Sequence, residues 1–536
     1  MTRRISPAML RELLVAPAEF ALLDVREQGV HYQGHPFFAC SLPLSKLEFM
    51  VEDLAPRRGV PLILLDGGNE DLAEKAAAKL QAFGYTDISI LEGGCAAWKA
   101  TGGELFSGVN VPSKAFGEFV EHHYDTPRVP PEDVKKLIDS GRKLVILDSR
   151  PYDEYHRMNI PGGIDAPGAE LVYRVHDLAP DADTLVVVNC AGRTRSIIGC
   201  QSLKNAGLVN EIVALKDGTM GWELAGFECE RGSTHEAPPP SRAGLAKAHA
   251  AVAQVAKRFE VKFATREQVQ AWQKDPNRSL FMLDVRSEQE FRQAHIAGSK
   301  HAAGGQVVQA TDEYLGVRNA RVVLIDPARV RSVMTAHWLN QMGWNEAYVL
   351  EPEGTDGFAG WRTESGPRRP AALGFRRHDS VAPAQLAMRH SHGGTVVLDL
   401  STSLQFRARH IPGSWWAVRS RLEAAGGKVG DARSVVLVSP DGLQAHLAAR
   451  EAAALWPKAE VLVLDGGSTA WFAAKLPEEA GIEERKTTTL DDVWYKPYEH
   501  EHAEEFEKHA RNYLSWEVAL VDQIKRDPTI RFRAYD

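Results

Sequence analysis

Val186-Val187-Val188-Asn189-Cys190-Ala191-Gly192-Arg193-Thr194-Arg195-Ser196 reads as a strand that ends in a thiol. Three β-branched residues run into a lone cysteine, a short Gly/Arg/Thr/Arg/Ser loop follows, and residues 197–206 are helix-compatible. Backbone N–H groups at a helix start and two guanidinium groups both favour negative charge, so a thiolate can be made and used here. The competing reading is a structural cysteine, because free cysteine packs as a small hydrophobe. The rest of the chain decides between them.

The surrounding pattern occurs four times. Each copy begins with an apolar run ending in aspartate: Leu22-Leu23-Asp24-Val25-Arg26, Ile146-Leu147-Asp148-Ser149-Arg150, Met282-Leu283-Asp284-Val285-Arg286 and Val397-Leu398-Asp399-Leu400-Ser401. A turn follows, Asn159-Ile160-Pro161-Gly162, His295-Ile296-Ala297-Gly298 or His410-Ile411-Pro412-Gly413, of which the first copy keeps Gly34-His35-Pro36. Then come a second apolar strand and a Gly-rich turn leading to Trp98, Trp222, Phe358 or Trp471. The offsets align the copies. Asp148 precedes Cys190 by 42 positions and Cys190 precedes Trp222 by 32; Asp24, Asp66 and Trp98 repeat both spacings, as do Asp284, Asp326 and Phe358. Asp399, Ser439 and Trp471 are spaced by 40 and 32. Units 115–136 residues apart are too long for solenoid repeats and suit whole domains.

Within each unit, short β-rich strands alternate with helical patterns at 69–83, 195–206, 330–342 and 444–456. The alternation predicts an α/β fold: four tandem domains, each a mainly parallel sheet flanked by helices, with sites at the carboxyl ends of strands. The domains are expected at residues 1–105, 125–232, 260–365 and 378–480, followed by a partly helical tail at 481–536. Residues 101–125 read as a linker with no strong period. A second linker starts at Ala237-Pro238-Pro239-Pro240 and continues as an Ala-rich helix to Arg258, and a third opens at Gly366-Pro367-Arg368-Arg369-Pro370. In the tail, Trp494-Tyr495-Lys496-Pro497-Tyr498 precedes a charged helical stretch at 499–511. Residues 512–524 are amphipathic, with Leu514, Val518 and Val521 near one face; this segment docks back on the domains or forms a homo-oligomer contact.

The 536 residues are 44% hydrophobic and 25% charged, ordinary for globular domains, and length alone suggests roughly three to five of them. A net charge of −8 gives no reason to expect nucleic acid or an anionic membrane as partner. Five cysteines in so long a chain make no disulfide framework and contain no C-x-x-C metal pattern, so no metal or cofactor is expected and the location expected is cytoplasmic. No apolar run suits a signal peptide or a membrane span.

Only one of the four strand ends carries a cysteine. Asp66 and Asp326 cannot act as sulfur nucleophiles, Ser439 has no neighbouring base in sequence, and Arg329 and Arg331 beside Asp326 suggest an internal ion pair. Three scaffolding copies and one active copy is the reading that follows. Cys200 shares a helical face with Ile197 and Leu203 and reads as core, while Cys40, Cys95 and Cys229 lie at turns or domain ends. The pairs His122/His123 and His500/His502 lack ligand partners and read as solvated surface.

On the Asp-x-Arg strand ends, the His-Ile-Pro-Gly-like turns, the strand-Cys-loop-helix and the Gly-Gly-x-x-x-Trp close, the chain resembles the rhodanese family of sulfurtransferases from about Ser6 to Pro477, as four tandem rhodanese-like domains. The loop is similar to that of thiosulfate sulfurtransferases. The resemblance implies that Cys190 attacks the outer sulfur of thiosulfate or a similar small anionic donor, forms a persulfide, and passes the sulfur to cyanide or a thiol. Loop amides of Ala191, Gly192, Arg193, Thr194, Arg195 and Ser196 suit cradling the persulfide, and the guanidinium groups of Arg193 and Arg195 suit the anionic donor. Thr194 and Ser196 either donate hydrogen bonds or cap the helix, and Asp148 and Arg150 read as a structural ion pair. A non-catalytic persulfide carrier or scaffold is the alternative. A cysteine phosphatase of the related cell-cycle type needs arginine at the sixth position after the cysteine, where Ser196 stands.

Overall fold

The computed structural model describes residues 2–368, 372–500 and 503–535. Arg369 and Pro370 of the third linker, and Glu501 and His502 of the charged stretch, lie outside the described residues.

The second copy is a five-stranded sheet of β1 (Arg128–Val129), β2 (Leu144–Asp148), β3 (Ile164–Asp165), β4 (Leu185–Asn189) and β5 (Ile212–Leu215). The order is β1-β5-β4-β2-β3, with every neighbour parallel. Strand β4 is central and buried along its whole length, which is why its sequence is a continuous apolar run rather than an alternation. The third and fourth copies repeat this order. In the first, the third copy adds Val317–Arg318 antiparallel to the edge of Phe20–Asp24. The fold expectation holds: mainly parallel sheets flanked by helices.

Four helices matter for the site: α1 (Val111–Tyr124), α2 (Tyr152–Arg157), α3 (Thr194–Asn205) and α4 (Ala503–Ile524). Helix α1 corrects the expectation of an unpatterned linker at 101–125. Apolar Val111, Ala115, Phe116 and Val120 are buried, but so are Lys114, Gly117, Glu118 and Glu121. Burial on several sides, one of them polar, removes the apolar/polar contrast that marks a surface helix. In α4 the buried stripe is Ala510, Leu514, Glu517 and Leu520, whereas Val518 is exposed. A carboxylate therefore takes an inward place expected for an apolar residue, and the tail docks on α1.

The first three copies share one continuous apolar core and the fourth has its own. Copies also meet through buried charge. Arg331 of the third pairs with Glu170 of the second at 3.0 Å, and Arg419 of the fourth with Glu48 of the first at 2.9 Å. Between the second and third copies, Trp338 Nε1 donates to Ser202 Oγ at 2.9 Å and Gly168 lies against Gly305, where an added Cβ would come 2.6 Å from the Gly305 Cα. Among the described residues, no helix is long and apolar enough to cross a membrane.

Two predictions follow from this packing. Gly168→Ala must push two backbones apart, and a lower midpoint in denaturant unfolding is expected, with a loss of about 1–3 kcal/mol. The second concerns Asp165, which faces Asp148 across the β2–β3 pair. Burial, with the charges of Asp148 and Glu236, pushes its carboxyl up to about 8. The folded state thus holds a proton that the unfolded chain releases near pH ~4, so this stabilisation declines from pH ~4 upward and is gone once pH has risen through about 8. Thermal unfolding from pH 5 to 9 should show the wild type losing stability between pH 5 and about 8 that Asp165→Asn does not lose.

Candidate active site

Cys190 follows β4, and its strand end is clamped by the Asp-x-Arg motif of β2. Ser149 donates to Asn189 O from its backbone N at 2.9 Å and from its Oγ at 2.8 Å, and Asn189 Nδ2 donates to Asp148 Oδ2 at 2.9 Å. Arg150 closes the clamp on Asp148 at 2.7 Å and donates to Met158 O at 2.6 Å. The ion pair is structural, as expected, with both side chains buried. Cys190 is 2% exposed and its thiol donates to Ser196 Oγ at 3.5 Å, while the Ser196 hydroxyl donates to Arg193 O at 2.8 Å.

The Gly-rich turn before Trp222 shapes the loop from below. Thr219 N donates to Cys190 O at 2.8 Å and Met220 N to Ala191 O at 3.0 Å. Gly218 has φ +57°, and an added Cβ would fall 2.3 Å from Cys190 O, so glycine is required there for backbone conformation and for close approach alike. The loop carbonyls are thereby engaged. The amides of residues 191–196 donate to no protein acceptor among the described residues.

What such amides want is visible in the sister loops. Asp66 accepts from Gly68 N at 2.8 Å and Ala73 N at 3.1 Å. Asp326 accepts from Ala328 N at 3.1 Å and Arg331 N at 2.8 Å, and Ser439 Oγ accepts from Ala445 N at 3.2 Å. In three copies a side-chain oxygen fills the cradle. In the second, sulfur stands there with the amides free, an arrangement that stabilises a thiolate or the terminal sulfur of a persulfide.

The two loop arginines separate. Arg195 pairs with Glu154 of α2 through both nitrogens at 2.9 and 2.8 Å. Burial opposes its charge, yet Glu154 and a Cys190 thiolate hold the guanidinium above its ordinary value. Glu154 in turn sits at about 2, burial being outweighed by Arg195. The Arg193 guanidinium, expected to suit the anionic donor, is paired within the protein, with Glu118 at 2.6 and 2.8 Å, Glu121 at 2.6 Å and Asp217 at 3.2 Å. It anchors the loop to α1. Glu118, Glu121 and His122 form a grouping of metal-ligating type, and the Arg193 guanidinium already bonds both of its carboxylates.

Helix α4 covers the loop from above. An added Cβ on Gly192 would come 3.3 Å from Tyr513 Cε1 and 3.4 Å from Glu517 Oε2. Thr194 Oγ1 and Tyr513 OH both donate to Glu517 Oε1 at 3.0 Å. Of the hydroxyls expected to bond or cap, Thr194 thus bonds the tail and Ser196 turns back to the loop. Cys200 is buried beside Pro127 O, in core as expected, and all five cysteines are free. Lys114, Glu118, Glu121, Glu154, Tyr513 and Glu517 were not read from the sequence as site residues. The signal for α1 was available in the 114/117/118/121 spacing, a polar stripe with the i, i+3, i+4, i+7 period of one helix face.

The family Rhodanese, described as Rhodanese-like domain, matches residues 6–101, 130–225, 265–364 and 382–474, and the chain belongs to it. A crystal structure of a thiosulfate sulfurtransferase from Pseudomonas aeruginosa is 43% identical with a TM-score of 0.94, covering 100% of both chains. The HTH-type transcriptional regulator Rv0324 of Mycobacterium tuberculosis is 32% identical over 91 residues, 17% of this chain, which spans only 39% of the regulator. A Bacillus subtilis protein proposed to be a sulfur carrier, YrkF, is 23% identical over 192 residues, 34% of this chain and 91% of that protein.

Arg193→Met strands Glu118 as a buried, unpaired carboxylate and leaves Glu121 with Arg128 alone, at 3.0 Å. Urea unfolding is expected to show a loss of about 3–5 kcal/mol.

Proposed function

We propose that this rhodanese-type sulfurtransferase moves sulfane sulfur from thiosulfate, or a similar small anion, through a persulfide on Cys190 to cyanide or a thiol. The observation that carries the proposal is the comparison of the four loops: the amide cradle is filled by oxygen in three copies and by a nucleophilic sulfur in one. The full-length similarity to a thiosulfate sulfurtransferase supports the choice of donor.

In the first step the Cys190 thiolate attacks the sulfane sulfur. A bond forms between the two sulfurs, the bond to the sulfonate sulfur breaks, and its electron pair leaves with sulfite. The persulfide keeps one negative charge on its terminal sulfur, for which the unpaired amides of residues 191–196 are the donors at hand. In the second step cyanide or a thiolate attacks that sulfur, and the pair returns to Cys190 as thiolate. No oxidant is consumed. Ser196 accepts from the thiol and, once the proton has gone, its hydroxyl can turn to donate. The copies holding Asp66, Asp326 and Ser439 serve as scaffold: the first and third close their cradles with an internal carboxylate, and none supplies a thiol.

The five free cysteines fit a reducing, cytoplasmic setting. A homo-oligomer contact through the tail would use the exposed face that carries Val518, which sedimentation measures.

Cys190→Ser is expected to abolish turnover of thiosulfate with cyanide and to abolish the gain of one sulfur on the Cys190 peptide by mass spectrometry, with the unfolding midpoint little changed. Full activity in Cys190→Ser would overturn the proposal. A carrier is distinguished by loading one equivalent of sulfur and turning over no further.

A further inference from the structure

Thiosulfate is a dianion whose sulfonate oxygens share its charge with the outer sulfur, and the site must supply cations or hydrogen-bond donors for that end. Arg193 is held by three carboxylates and Arg195 by a bidentate pair with Glu154. Lys114, from outside the repeated unit, is differently placed. It lies on the polar stripe by which α1 faces the loop: Gly117, one turn on, would bring an added Cβ 2.9 Å from Thr194 Cγ2, and Glu118 and Glu121 hold Arg193. Its ammonium is buried, and its ion pair with Glu517 is loose at 3.5 Å. Burial lowers the pKa of this ammonium, while Glu517 and a thiolate at Cys190 pull it back up.

Glu517 is the unusual partner. It is fully buried on α4, and only its Oε1 is bonded, by Thr194 and Tyr513. Its Oε2, the atom that faces Gly192 of the cysteine loop, has no hydrogen-bond partner. A buried carboxylate oxygen without a donor is costly, and this carboxylate, with hydroxyls and an ammonium on its Oε1 and its Oε2 turned to the cysteine loop, sits as a bound anion would.

We infer that Lys114 and Thr194 bind the sulfonate end of the donor, and that Glu517 occupies this position in the resting protein until the donor displaces it. A sulfonate offers three oxygens where the carboxylate offers two, so it can take the Thr194 and Lys114 contacts and reach the loop amides as well. The inference rests on the sulfurtransferase reading and adds to it a specificity site built by α1 and the tail. It also explains how a nearly inaccessible thiol meets its donor: leaving of Glu517 loosens α4 over Gly192.

Steady-state kinetics of the full-length protein with thiosulfate and cyanide test it, alongside discharge of preloaded persulfide to cyanide. Lys114→Met should raise the KM for thiosulfate about tenfold or more, discharge should change less than twofold, and Lys114→Arg should recover most of the loss. Glu517→Gln keeps the shape and the Thr194 bond but removes the competing charge, so the KM for thiosulfate should fall severalfold. An unchanged thiosulfate KM in Lys114→Met, with an active wild type, overturns the inference and leaves the sulfurtransferase reading standing. A rise of KM in Glu517→Gln equal to that of Lys114→Met overturns the role of Glu517 as occupant. Should Lys114→Met fail to fold, Glu517→Gln decides: a wild-type thiosulfate KM there overturns the inference. A wild type that transfers no sulfur overturns the parent reading.

Discussion

Backbone N–H groups that converge on one side chain at the end of a buried strand impose the constraint on which this architecture turns. Buried amides demand an acceptor, and each loop answers through the residue that follows the strand. Asp66 and Asp326 answer with carboxylates and Ser439 with a hydroxyl. Cys190 answers with a weak acceptor that becomes a strong one only when it is ionised or carries an extra sulfur. The Gly218 turn maintains the constraint, because its helix ties up the carbonyls of Cys190 and Ala191 and leaves their amides to the other side. The same turn does this for Asp66 and Ser439. The glycines and tryptophans of the repeated close therefore set the polarity of the loop as well as the packing beneath it.

A second theme is that the catalytic copy is completed by segments outside it. Helix α1 delivers Glu118 and Glu121 to Arg193, the tail delivers Glu517 to Thr194, and the third copy delivers Arg331 to Glu170. Each is a buried charge or hydrogen bond that is favourable only with its partner in place. Such contacts add less to net stability than apolar packing, but they define which copy meets which. The pairing of second with third and first with fourth is written in the same kind of arginine–glutamate contact, Arg331–Glu170 and Arg419–Glu48.

The repeated elements were legible because their chemistry is local. Central strands bury both faces and read as apolar runs, Asp-x-Arg pairs its own aspartate and arginine at a strand end, and the 42- or 40- and 32-residue spacings aligned every loop without reference to packing. The position of Cys190 and the nature of its sister residues followed. Tertiary partnership was hidden. Arg193 looked like a ligand for an anion, and it is one, but the anions are Glu118, Glu121 and Asp217 of the protein itself. Residues 101–125 looked like a linker because a helix enclosed by other helices and holding buried charges loses its two-sided pattern. In the tail, the apolar period suggested Val518 as an inward residue, whereas Glu517 points inward to meet a hydroxyl more than 300 positions earlier in the chain.

That last separation has a consequence in time. Thr194 and Glu517 are 323 residues apart in sequence, so a ribosome adding ~5–20 residues per second makes the cap tens of seconds after the cysteine loop. During that interval the second copy can form its sheet around the strand that ends in Cys190, yet the thiol stays open to the surrounding solution. The nascent chain carries an uncovered nucleophile, and the finished chain carries a shielded one. Protection of the sulfur arrives only when synthesis has passed all four sheets.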